Sequence, residues 1–171
     1  MLQAERYHDM KIKFKKSMFY SFIIPMIFCT ACGTNSEAAN QLSGSLNDIM
    51  TGIYENADLS EDFRAGLENF ETIELSDDIE VSILGTDAID YEEGIVSMPM
   101  MSSVAYQCVL LRVDSDTVDT VKQQINDNAD LNKWICVSAE TMLVESRGDV
   151  IFFVMGESDT AYALNTAFQA Y

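Results

Sequence analysis

The chain has 171 residues, 48% of them hydrophobic and 22% charged, with a net charge of −18. That is the composition of one globular domain, not of a disordered acidic tail. Five of the ten basic residues but only two of the 28 acidic ones precede Ser17, which leaves five against 26 and a net of −21 for the rest. Such a surface has no clustered Lys and Arg to displace counterions from phosphates, so nucleic acid is excluded as a partner and anionic headgroups are repelled.

The first basic group, Lys11 to Lys16, precedes an apolar stretch of fourteen residues, Met18 to Ala31. At about 1.5 Å per helical residue that run spans roughly 21 Å, short of the roughly 30 Å hydrocarbon core. Pro25 lies in its middle. This predicts a signal peptide over residues 1–31 and not a membrane span. Met10 is its natural start, with Met1 the alternative, and the only histidine, His8, precedes Met10. The run ends in Phe28-Cys29-Thr30-Ala31-Cys32-Gly33, which resembles a bacterial lipobox with Cys29 where Leu is usual. The resemblance makes Cys32 a lipidated N-terminus, and several acyl chains at about 0.8 kcal/mol per buried CH₂ make a stable anchor. Residues 32–41 then form a polar, lipidated tether, and residues 42–171 one domain.

Within that domain, Leu46, Ile49, Met50, Ile53, Tyr54 and Ala57 recur at helical spacing. Ser45 with Asp48 three residues on is a variant capping box. A short helix is expected from Ser60, with Phe63, Leu67 and Phe70 on one side. From Ser76 to Gly85 the alternation of Ile79, Val81 and Ile83 competes with a cap and a glycine terminator, and the cap and terminator favour helix. Ile89 to Met98 is expected as a strand ending at Pro99. Val104 to Val113 is apolar on both alternating faces, with Tyr106, Cys108 and Leu110 opposite Val109, Leu111 and Val113. That marks a central strand covered above and below.

Val118, Val121, Ile125 and Ala129 define a further helix, and Trp134 to Val137 a short strand. Met142 to Glu145 and Val150 to Met155 flank Ser146-Arg147-Gly148-Asp149 as a hairpin. Ile151 to Val154 is again apolar on both faces. A last helix begins at Ser158. The fold class is α+β: a mainly antiparallel sheet, central strands near 104–113 and 150–155, packed against amphipathic helices.

Leu84-Gly85-Thr86, Asp90-Tyr91-Glu92-Glu93, Pro99-Met100-Met101-Ser102-Ser103, Lys133-Trp134-Ile135-Cys136-Val137 and the Arg147-Gly148 hairpin resemble a family of bacterial lipoproteins, domain of unknown function 4358. The resemblance covers roughly Ser45 to the C-terminus together with the lipidated leader. It implies a lipid-anchored domain of mainly Gram-positive bacteria and brings no activity and no catalytic residues.

Past the leader the chain contains no histidine, which removes triad chemistry, histidine general base catalysis and histidine-ligated metals together. Cys108 and Cys136 are expected as buried free thiols in strands. An exported location would permit a disulfide if their Cα atoms lay within about 7 Å. Asp87, Asp90, Glu92 and Glu93, with Tyr91 among them, form the densest polar cluster. It is read as a solvated loop, with a cation or partner site and acid–base catalysis as alternatives. Arg147-Gly148-Asp149 spells an adhesion tripeptide, but a glycine at a hairpin tip is ordinary turn chemistry. Met98, Met100 and Met101 are core packing or an adaptable apolar surface.

These residues lead to a lipid-anchored extracytoplasmic binding or interaction module, with the membrane as one partner and a protein or cell-envelope component as another. No metal and no cofactor is expected. The alternative is a histidine-free hydrolase of cell-envelope material using carboxylates of the 87–93 loop. The two differ in one observable. An enzyme of this kind needs a concave site containing a partly buried carboxylate of raised pKa.

Overall fold

Strands β3 (Gln107–Arg112) and β5 (Val150–Gly156) lie side by side in the middle of a sheet and are buried almost throughout. Their antiparallel register sets Cys108 against Val154, Val109 against Phe153, Leu110 against Phe152 and Leu111 against Ile151. A strand's side chains alternate between faces, so each strand presents apolar groups on both. Two covering layers are therefore required. One is α1 (Leu46–Asn56) with α5 (Ser158–Ala170), the other α3 (Asp77–Leu84) with α4 (Val118–Asn128).

The computed structural model describes residues 41–101 and 103–171. The expected signal peptide, Cys32 and the tether up to residue 40 lie outside the described residues. Within them, α2 (Glu61–Gly66) follows α1 and a single 3₁₀ turn leads into β1 (Phe70–Glu74). With β2 (Glu93–Pro99) and β4 (Thr141–Arg147), five strands form one sheet in the order β1-β2-β3-β5-β4, every neighbouring pair antiparallel. The fold is α+β, as the sequence predicts.

The first layer buries Leu46, Ile49 and Ile53 of α1 and Leu164 and Phe168 of α5 against Leu110, Phe152 and Val154. Phe168 stacks on Phe152 with ring centroids 5.0 Å apart. On the other face Ile83 and Leu84 of α3 and Val121 and Ile125 of α4 cover Val96, Val109, Leu111 and Phe153. Ser45 starts α1 as expected, accepting from the Asp48 amide at 3.2 Å and donating to its carboxylate at 2.7 Å. Gly85 ends α3 in the left-handed region at φ +84°, and a Cβ there would stand 2.2 Å from the Asn128 carbonyl oxygen. Both facts require glycine.

Five expectations need correction. Trp134 to Val137 is not a strand: Cys136 has φ +67° and Ile135 is 82% exposed. Local hydrogen bonds brace the loop, with Asp130 Oδ1 accepting from the Asn132 amide at 2.8 Å and the Ala139 amide donating to the Leu131 carbonyl at 2.9 Å. Phe70 opens β1 instead of extending α2. As an edge strand β1 is half exposed and lacks the apolar run that marks the central ones. The central strand begins at Gln107, three residues late, leaving Val104 half exposed, and β2 begins at Glu93 although Ile89 is buried. Cys108 and Cys136 are both free, but only Cys108 is buried.

Phe152→Ala and Leu110→Ala are each expected to cost about 2–5 kcal/mol in urea unfolding, the range for emptied core sites. Losses below about 1 kcal/mol at both would contradict the central placement of β3 and β5.

Candidate functional site

The acidic loop does not converge. Asp87, Asp90, Glu92 and Glu93 are exposed, and Tyr91 is half-buried. Among the described residues no group of three or more Asp, Glu, Cys or His is placed to hold a metal ion. Glu93 instead faces Arg112 across the β2–β3 ladder, with an N–O distance of 3.6 Å. Tyr91 lies over Gly94, where a Cβ would approach its ring to 3.1 Å. Burial raises the Tyr91 pKa, helped by the negative charges of Glu80 and Asp77.

The carboxylate that sequence reasoning missed is Glu80. It is 7% exposed, and its Oε1 is buried without a hydrogen-bond partner. Burial raises its pKa, and the nearby charges of Asp77 and Asp87 add to the effect. Helical spacing offered a signal, because residues three and four before the inward Ile83 and Leu84 share their face. In α3 a carboxylate points inward while Val81 is 54% exposed.

The Arg112 end of β3 is closed by an ion pair. Asp149 is 2% exposed and accepts from Arg112 Nη1 at 2.6 Å and from the Leu42 amide at 2.7 Å. Arg112 also donates to the carbonyls of Leu42 and Gly44, at 3.1 and 2.9 Å. The pair thus clamps the start of the domain. Asp149 is accordingly not presented at the hairpin tip, and Arg147 donates to the Gln169 carbonyl at 2.8 Å, which removes the adhesion reading.

The Gln107 end is different. A cavity of about 350 Å³ opens there, walled by Val81 of α3, Met98 and Pro99 of β2, Val104, and Trp134. A second, of about 330 Å³, is lined by Phe63, Phe70 and Ala105 and shares Val104 and Tyr106 with the first. The rings of Phe63, Phe70 and Tyr106 hold one another edge-on or tilted, with centroids 5.2–5.5 Å apart. Val81, Met100, Met101, Val104 and Ile135 are five of the seven large apolar residues exposed among the described residues. Two of them line the first cavity; the other three belong to the turn and loop that contribute Pro99, Val104 and Trp134 to it.

Lys133 is the cation of this end. Its ammonium donates to the Ser82 carbonyl at 2.5 Å and to Gln107 Oε1, and lies 5.1 Å from the Trp134 ring centroid. Gln107 is itself fixed, because its Nε2 donates to the Ile83 carbonyl at 2.9 Å. Burial lowers the Lys133 pKa to about 8. Both acceptor carbonyls belong to the last turn of α3, where positive charge offsets the helix dipole. Beneath the second cavity, Tyr54 donates to Ser97 at 2.9 Å and shares a 2.8 Å hydrogen bond with Tyr106. Burial pushes the neighbouring Cys108 thiol up to about 12, so it stays protonated and is no nucleophile.

Comparison with protein-family models, with curated proteins and with solved structures finds no match to the chain.

A carboxyl with a raised folded pKa binds more protons folded than unfolded. Its contribution to stability therefore falls as pH rises from the ordinary carboxylate range through the raised value. Glu80→Gln is expected to remove that slope, giving a variant more stable than the parent at about pH 7 and indistinguishable at about pH 3 in thermal melts. A variant less stable at neutral pH would show that the Glu80 charge is compensated.

Proposed function

We propose that this chain is a lipid-anchored, extracytoplasmic binding module whose binding surface is the apolar end of the sheet at Gln107. The observation that carries the reading is a cavity lined by the exposed Val81 and Val104, with the exposed Met100, Met101 and Ile135 next in the chain to its Pro99 and Trp134. Contiguous exposed apolar groups mark interaction sites, whereas single ones need no explanation. Methionine suits such a surface because its unbranched thioether adapts to varied shapes.

The position of the surface supports the anchored reading. Leu42, where the tether would join the domain, is clamped at the Arg112 end of β3, and the cavity lies at the Gln107 end. Five residues at about 3.3 Å each separate the two ends by about 17 Å. A tether of about ten polar residues adds a root-mean-square reach of about 17 Å. Anchored through Cys32, the domain would present its apolar end away from the bilayer. No described helix is long and apolar enough to cross a membrane.

The hydrolase alternative needs its acid–base carboxylate inside the concave site. Glu80 has the raised pKa and lines neither of the two apolar cavities, so the chemistry and the concavity lie apart. That separation favours the module.

Membrane fractionation with intact-mass measurement tests the anchor. The mature protein is expected in the membrane fraction, its mass increased by acyl chains on Cys32, and Cys32→Ala is expected to be released or to keep its leader. Unchanged mass and unchanged membrane extraction in the variant would contradict lipidation.

A further inference from the structure

Resting on that reading, we infer that the two cavities on either side of Val104 form one groove for a cationic polypeptide segment that inserts apolar side chains. The apolar half of the inference comes from the walls. Phe63 and Phe70 on one side and Met98 and Trp134 on the other offer two separate pockets, joined through Val104 and Tyr106. Two pockets of about 330 and 350 Å³ suit two bulky anchors on one extended or helical segment.

The charge of the occupant follows from the polar groups at the rim. Asp62 and Glu157 line the second cavity and Asp130 the first. Lys133, held by Gln107 and the Ser82 carbonyl at the end of α3, offsets one of these three charges and leaves two. The rim is therefore acidic, on a domain whose net charge past the leader is −21. A segment bearing Lys or Arg beside its apolar anchors would be steered to the groove and held at its edge. The same field repels a second copy of this chain and an anionic bilayer.

The only tryptophan of the chain, Trp134, lines the groove and reports occupancy directly. Three designed peptides serve as probes in fluorescence titrations: Leu with Lys in an amphipathic pattern, the same pattern with Gln for Lys, and the same pattern with Glu for Lys. The Leu/Lys peptide is expected to shift Trp134 emission and to bind at least tenfold more tightly than the Gln peptide, the difference shrinking as salt rises. The doubly substituted protein Asp62→Asn, Glu157→Gln is expected to lose most of that preference while still binding the Gln peptide. Met101→Ser with Val104→Ser, at exposed positions that leave the fold intact, is expected to weaken both.

Equal affinity for the Gln and Lys peptides would overturn the inferred charge and leave the binding module standing. Preference for the Glu peptide would do the same and transfer recognition to Lys133. A Lys/Ser peptide without apolar residues binding as well as the Leu/Lys peptide would overturn the groove in favour of diffuse electrostatics. A Trp134 response to phosphatidylcholine vesicles or to protein concentration alone, with none to the peptides, would overturn the inference in favour of a membrane or a second copy. No response to any probe would overturn both readings.

Discussion

The register between β3 and β5 is the constraint on which the rest depends. Pairing Val109 with Phe153 on one face and Leu110 with Phe152 on the other makes a ladder with no polar side along its length. Each face must be covered, so helices occupy both, and neither face of the central sheet remains free to bind anything. A function has to reside at the ends of that ladder or on the edge strands. The two ends differ in kind. At one, Arg112 and Asp149 close the structure onto the start of the domain; at the other, Gln107 and Lys133 leave an open apolar concavity.

The scarcity of cations shapes the surface as much as the abundance of acids does. None of α1, α3 and α5 carries a basic residue in its own last turn. Each receives one from elsewhere. Arg64 donates to the carbonyls of Tyr54 and Ala57, Lys133 to that of Ser82, and Arg147 to that of Gln169. The two remaining cations of the described domain pair with carboxylates, Arg112 with Asp149 and Glu93 and Lys122 with Glu145. All five are thus engaged in holding the fold, and past the leader they stand against 26 acidic residues. That imbalance is the basis on which the charge of a partner is argued.

Much of the fold was legible because the central strands and the long helices carry strong patterns. Val109 to Val113 and Ile151 to Val154 declare themselves by apolar alternation on both faces, and α1 by its stripe and the Ser45–Asp48 cap. Trp134 to Val137 misled because four apolar residues look alike in a strand and in an exposed loop, and sequence alone does not show that both sheet edges are already taken. Phe70 to Glu74 was hidden because an edge strand needs few apolar residues. The acidic 87–93 loop drew attention by density, yet the structure spreads its carboxylates over exposed positions. Glu80, a single carboxylate on an inward helical face, had no density to announce it. The Met100–Met101 turn was visible as an alternative to core packing; only the geometry shows both methionines exposed and brings Val81 and Val104 to one cavity.

If the apolar end of the sheet is the binding surface, a partner covers it in the cell. Hydroxyl-radical footprinting measures this directly, by comparing oxidation of Met100 and Met101 in native membranes with that of the purified protein in vesicles. Several-fold protection of both methionines is expected in native membranes, with Tyr162 and Tyr171, exposed elsewhere on the domain, labelled equally in the two preparations. Equal oxidation of Met100 and Met101 in both, or protection spread evenly over all four residues, would contradict it.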